Sequence, residues 1–227
     1  MTSPSLPPET VRGIDASYYQ DRPDTHADDI DWAAVKASGV EYVWARFTKA
    51  FILGGRVYVD RDSSAATIVR WAREAGLLLG AYHYHHPAAD PALQARTMLA
   101  AVSDLGRPEL GLAADCEEHG RTPKGALTDH VLAFTDPLAD ALNRPATLYT
   151  TPSMAHEYLD APRLAHMPLW ISHVGVSRPI VPAPWAAWTY WQHAWKGRVP
   201  GILTNVDLDL YAGSLADLRA ANGVSAP

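Results

Sequence analysis

The chain has 227 residues, a length that fits one barrel-sized α/β domain or two small ones and is ample for a substantial core. Nineteen Lys and Arg stand against 25 Asp and Glu with no basic run, so nucleic acid and anionic membrane are poor partners, and any anionic substrate has to be met by local geometry. One cysteine, Cys116, excludes an internal disulfide and leaves too few thiols for a zinc–thiolate site, in keeping with synthesis in a reducing compartment.

The opening MTSPSLPPETVRG has no cationic segment followed by an apolar one, and no window of about 18 apolar residues occurs anywhere. It reads as a flexible tail over residues 1–11, without export signal or anchor. RGIDASYY (12–19) is the first strand candidate. A loop follows, then a short helix around DWAAVKASG that Asp31 can cap and Gly39 can end. YVWARFTKA (42–50) is the second strand. RDSSAATIVRWAREAG (61–76) carries the helical period at Ala65, Ile68, Val69, Ala72 and Ala75, with Gly76 as its stop.

LLLGAYHYHHP (77–87) is the third strand, closed by Pro87, and DPALQARTMLAAVSDLG (90–106) is a helix begun by an Asp cap and a proline. LGLAADCEE (110–118) is the fourth strand. A helical region from about Pro123 to Leu142 comes next, which Pro137 is expected to kink or split. Strands recur at 146–152, 168–174, 187–195 and 206–212, SRPIVPAPW (177–185) is a loop, and SLADLRAAN (214–222) is a closing helix.

Strands alternating with helices predict parallel strands joined by crossovers. The expected fold is α/β: one modified (β/α)8 barrel over residues 12–222, with some helices reduced or missing in its second half and a short tail at 223–227.

The chemistry concentrates at the end of the fourth strand. Side chains alternate along a strand, so Asp115 and Glu117 share a face with Cα atoms roughly 6.5–7 Å apart, while Cys116 and Glu118 point away. An unpaired carboxylate at the end of an apolar strand is costly, and in a parallel barrel that end is where catalytic groups sit. Asp15 on the first strand and Asp207 with Asp209 on the last occupy comparable places; barrel closure makes those strands neighbours, so Asp15 and Asp207 are expected to face each other. Crowded carboxylates raise one another's pKa, which keeps one protonated as a general acid. The bland alternative for any single one is a helix cap or a partner for Arg. For Glu118 that alternative is preferred.

The segments GIDASYYQ, DWAAVKASGVEYVWARFTKA, GAYHYHHP, the Asp-x-Glu of ADCEE, LYTTPS, LWISHV, YWQHAW and NVDLDLY stand in an order that resembles the family 25 glycoside hydrolases, the lysozymes or muramidases of bacteria and phages. The resemblance spans about residues 12–212. It implies a modified barrel and cleavage of the β-1,4 bond between N-acetylmuramic acid and N-acetylglucosamine in peptidoglycan. Glu117 then matches the general acid, Asp115 its partner carboxylate, and Asp15 and Asp207 the two further acids. Tyr82, Tyr149, Trp170 and Gln192 match the sugar-binding lining. FTKAFILGG and the middle Cys116 depart from the family's pattern.

Glycosidic cleavage needs an acid for the leaving oxygen and a group that stabilises the oxocarbenium-like centre. A substrate-assisted retaining route is expected, with Glu117 as acid then base, Asp115 orienting the acetamido group, and Asp15 and Asp207 in support. Neither cofactor nor metal is expected, since His83 and His85 of HYHH face outward if Tyr82 lines the barrel. Eight Trp and ten Tyr against three Phe suit stacking on sugars in a wet cleft. A catalytically silent wall-binding or virion protein of the same fold and a hydrolase of another N-acetylated glycan such as chitin are the rival readings. The remaining expectations are peptidoglycan strands as partner, a monomer, and synthesis in a host cytoplasm before release to the wall.

Overall fold

The computed structural model describes residues 9–21 and 30–225; the tail reading over residues 1–8 and the last two residues lies outside them. Its strands are β1 (Thr10–Ala16), β2 (Tyr42–Leu53), β3 (Arg56–Arg61), β4 (Leu78–Tyr84), β5 (Gly111–Asp115), β6 (Thr147–Thr150), β7 (Leu169–Ser172), β8 (Tyr190–Gly197) and β9 (Val206–Ala212). They form one sheet in the order β1-β9-β8-β7-β6-β5-β4-β2-β3, and β1 also pairs with β2. That pairing closes an eight-stranded barrel and leaves β3 outside the ring. All eight expected strands are present, although β1 starts two residues earlier than Arg12.

The helices are α1 (Trp32–Ala37), α2 (Ala65–Glu74), α3 (Pro91–Leu105), α4 (Lys124–Leu142), α5 (Pro152–Glu157), α6 (Ala161–Leu164) and α7 (Leu215–Ala221). Asp31 caps α1 by accepting from the Ala34 amide at 3.0 Å, and Asp90 caps α3 by accepting from Leu93 at 3.0 Å. After β6 the helices shorten to six residues or fewer in α5 and α6, as the poorer periodicity there predicts.

Three expectations need correction. The first concerns strand direction: β9 runs antiparallel to both β8 and β1. Residues 198–205 are too few for the dozen or more that a parallel crossover needs, so the chain turns back as a hairpin. The second is the hairpin of β2 and β3, where Gly54 and Gly55 make a two-residue turn with φ of +57° and +75°. Both angles lie in the left-handed region that such hairpin turns demand and glycine tolerates. The third is Pro137, which neither splits nor ends α4. It sits on the exposed side, where water can reach the carbonyl it leaves unbonded, while Leu127, Val131, Phe134 and Leu138 anchor the other side.

Two cores flank the sheet. Outside, Ile14, Val43, Ala45, Leu79, Leu112, Ala114 and Leu148 meet the helices in an aliphatic layer that also takes in Cys116. Inside, Tyr42, Trp44, Tyr82, Tyr149, Trp170, Tyr190 and Tyr211 fill the barrel with rings. Trp44 stacks on Trp170 at 5.1 Å and meets Tyr190 edge-on at 5.3 Å. Gly80 makes room for this: a Cβ there would lie 2.3 Å from Trp44 Cε3. The aromatic plug fills the barrel below and leaves its upper end to polar groups.

Candidate active site

Interior positions repeat every second residue, so each strand carries its aromatic plug upward into a polar residue. On β2 the series Tyr42, Trp44 ends in Arg46; on β4 Tyr82 leads to Tyr84; on β8 Tyr190 leads to Gln192. Adjacent registers match Asp115 with both Tyr84 and Tyr149, Ser172 with Gln192, and Asp15 with Asp207. A cleft of about 220 Å³ opens there. Its lining contains all of the expected residues: Asp15, Tyr82, Asp115, Glu117, Tyr149, Trp170, Gln192 and Asp207.

The reversal of β9 is what brings Asp207 to this end. Asp207 is the second residue of its strand, so a parallel β9 would have placed it at the opposite end, roughly 15–20 Å away. Antiparallel, the start of β9 lies level with the end of β1. Three strands separate β5 from β9 on either path around the ring, so Asp115 and Glu117 stand across the mouth from Asp207. Asp209 lies one interior position deeper and is 1% exposed.

Gln192 ties the floor together. Its amide nitrogen donates to Asp15 Oδ2 at 2.8 Å and to Asp207 Oδ2 at 3.3 Å. Its carbonyl accepts from Tyr149 Oη at 2.8 Å, Ser172 Oγ at 2.7 Å and Trp195 Nε1 at 3.0 Å. Trp170, 1% exposed, gives its indole N–H to Asp209 Oδ1 at 2.8 Å. These two expected lining residues therefore form the floor, with their polar atoms committed to protein partners. Trp188 and Trp191 pack with Leu169 and Ile171 in a separate cluster, away from the cleft.

Electrostatics follow from burial. Desolvation pushes the Asp15 carboxyl up to about 7, against the pull of the Gln192 amide, with the charge of Glu117 adding to the rise. Desolvation and then the charges of Asp15 and Glu117 take Asp207 to about 8. Asp115 and Asp209 lie well above the carboxylate range for the same first reason. Glu117 is raised by desolvation, held back by its hydrogen bond with Asp115, and raised again by the charge of Glu118. Asp115 lies beside Glu117, and Asp209 beside Asp15, and each neighbour adds to the rise.

The sign of the pH dependence follows. From pH 6.5 to 8.5 the folded protein still holds protons on these carboxyls that the unfolded chain has already released, so stability falls as pH rises. The expected loss is about 2–4 kcal/mol, or roughly 5–10 °C in Tm. Thermal melts across this range check it. Asp207→Asn should flatten the slope, and a Tm that rises over the interval would contradict the shared burial of these acids.

Reading the sequence missed several cleft residues. Arg46, buried, lines the cleft and donates from Nε to Asp62 Oδ2 at 2.7 Å; its charge lowers both Asp15 and Asp115. Tyr19, half exposed in the lining, lies 4.2 Å from the Tyr18 ring. Tyr84 lines the cleft and donates to Glu118 Oε1 at 3.2 Å, so the exposed Glu118 supports it from outside. The alternation ending in a lone Arg at position 46 was the available signal.

His83 and His85 face the helix layer, as the alternation predicts. His83 accepts from Thr48 Oγ1 at 2.7 Å and donates to Gln94 Oε1 at 2.8 Å, neutral because burial lowers it to about 4. His85 bonds His130 at 2.8 Å, and His130 bonds the Ala89 carbonyl at 2.8 Å. These bonds fasten the segment that follows Tyr84. Among the described residues, no three His, Cys, Asp or Glu side chains are arranged to hold a metal ion.

This arrangement supplies a general acid and negative charge around one pocket, which is what bond cleavage at a sugar acetal needs. The sequence model of the Glycosyl hydrolases family 25 matches residues 14–202. The chain is 30% identical to Lysozyme M1 of Streptomyces globisporus over 223 residues, 92% of this chain and 70% of that protein. It is 31% identical to the YegX protein of Escherichia coli (strain K12) over 216 residues, 93% and 73% of the two chains. A bacterial lysozyme from Streptomyces coelicolor has a similar structure, with a TM-score of 0.77 and 25% identity over 96% of this chain and 100% of that one. With a closed barrel, an acid-lined cleft at its mouth and a family match across most of its length, the chain belongs to family 25 of the glycosyl hydrolases and is a glycoside hydrolase.

Proposed function

We propose that the protein is a peptidoglycan hydrolase of the lysozyme type, cleaving the β-1,4 bond between N-acetylmuramic acid and N-acetylglucosamine. It does so as a single catalytic barrel over residues 12–222 and as a monomer. The observation that carries the reading is the pair Asp115 and Glu117, which line one side of the cleft and stand across it from Asp207.

Neighbours on one face at the end of β5, the two carboxyls do not straddle the space that the attacking water of an inverting enzyme needs. The pair suits substrate assistance. Glu117 gives its proton to the leaving oxygen as the glycosidic bond breaks. The acetamido oxygen of the muramic acid residue attacks the anomeric carbon from the opposite face and closes a cyclic oxazolinium. Asp115 accepts the acetamido N–H and stabilises the positive charge. Glu117, now a carboxylate, takes a proton from water; the resulting oxygen opens the ring at the anomeric carbon with net retention. Asp15 and Asp207 supply negative potential to the oxocarbenium-like centre, and Gln192 holds both in place.

The test is end-group analysis. Purified Gram-positive peptidoglycan is digested, reduced with borohydride and hydrolysed, and the reduced sugar is identified. Muramitol is the expected product. Glucosaminitol would place the cut at the other bond, activity on chitin alone would reassign the substrate, and no new reducing ends would overturn the reading.

A further inference from the structure

We propose that Trp195 is a carbohydrate-stacking platform that holds one N-acetylated pyranose ring of the glycan beside the acid cluster; the proposal rests on the muramidase reading above. Strict alternation along β8 puts Gln192 on the inner face and Trp195 on the outer one. The structure shows otherwise. The ladder with β9 pairs Gln192 with Asp209, Ala194 with Leu208 and Gly197 with Val206, so β8 carries one extra residue in each interval. These irregularities are bulges, which re-aim side chains next to active sites. Their effect here is to set Trp195 and Lys196 together against the single residue Asp207.

Trp195 thereby turns towards the cleft. Its Nε1 donates to Gln192 Oε1 at 3.0 Å and to Ser172 Oγ at 3.3 Å, yet 57% of the residue remains exposed. A Trp with its polar edge fixed and its ring in water is a large apolar surface held at low entropic cost. Ile52, Leu53 and Val57, also exposed, lie on the β2–β3 hairpin, and their side chains have no polar atom that could anchor them in the same way. The C–H face of a pyranose suits the flat indole, while its hydroxyl and acetamido edges face the carboxyls beside it. Removing the ring leaves the Gln192 carbonyl satisfied by Tyr149 and Ser172, so the floor keeps its hydrogen bonds.

Binding is measured by calorimetry in the Glu117→Gln chain with a soluble tetrasaccharide of alternating N-acetylglucosamine and N-acetylmuramic acid. Adding Trp195→Ala should weaken binding about tenfold, whereas Trp195→Phe should stay within about threefold of the parent. In chains that retain Glu117, Trp195→Ala should raise KM and leave kcat and its pH profile in place. Unchanged affinity in the Trp195→Ala chain overturns the inference and leaves the muramidase reading standing. A fall in kcat with a displaced pH profile and unchanged KM also overturns it, assigning Trp195 to the support of Gln192 alone. If the wild-type chain fails to cut wall glycan and the Glu117→Gln chain fails to bind the tetrasaccharide, reading and inference fall together.

Discussion

Glu117→Gln is expected to lower wall clearing at least about 10³-fold while the fold stays intact. The amide cannot deliver a proton to the leaving oxygen and cannot later act as base, so both halves of the reaction are lost with one substitution. The fold should tolerate the change because Glu117 lies beyond the last residue of β5 and is exposed in the cleft. A glutamine N–H can also donate to Asp115, replacing a shared proton with a fixed hydrogen bond and easing the ionisation of Asp115. The variant should therefore melt no lower than the parent above neutral pH. Turbidity loss of Gram-positive walls, read beside a circular dichroism melt, makes the check. A folded Glu117→Gln protein that retains more than about a tenth of the parent rate would remove Glu117 from the acid's role.

The second large effect is expected at Gln192, which touches no reacting atom in the proposed mechanism. Gln192→Leu withdraws both donors from Asp15 and Asp207, and the acceptor shared by Tyr149, Ser172 and Trp195. Orphaned buried polar groups cost about 1–3 kcal/mol each, and water entering from the cleft recovers part of that, so a net loss of about 3–5 kcal/mol is expected. For a chain of this length the change corresponds to a Tm lower by roughly 6–15 °C. Activity should fall with it, since the two acids it holds would repel each other freely. Gln192→Glu separates packing from charge: it keeps the shape but sets another carboxyl against Asp15 and Asp207. Its stability defect should be large at pH 8 and shrink by pH 5, where the added group can share a proton. Equal defects at both pH values would show that hydrogen-bond geometry, and not charge, makes Gln192 necessary.

Much of this was legible in local pattern. Alternation alone sets Asp115 and Glu117 on one face and sends Cys116 to the helix layer, because the strand period is two residues whatever the rest of the chain does. Asp31 and Asp90 announce their helices for an equally local reason, since a cap needs only the amides of the next turn. Closure of the barrel also follows from the count and spacing of strands, whereas the pairing of Asp15 with Asp207 further needs β9 to run antiparallel. The Gly-Gly turn after Leu53 and the short 198–205 connection carried a local signal for two antiparallel pairings that the expectation of parallel strands passed over.

What the chain alone determined, then, are the faces, the caps and the candidate acids, all consequences of spacing along one backbone. The tertiary structure decided the rest. It made Gln192 a hub by bringing five partners from five strands, its own included, to one amide, and it turned Trp195 inward through bulges that exist only against β9. It also decided which carboxyls keep their protons. That depends on burial and on charges that arrive from other strands, and neither quantity exists until the barrel has closed.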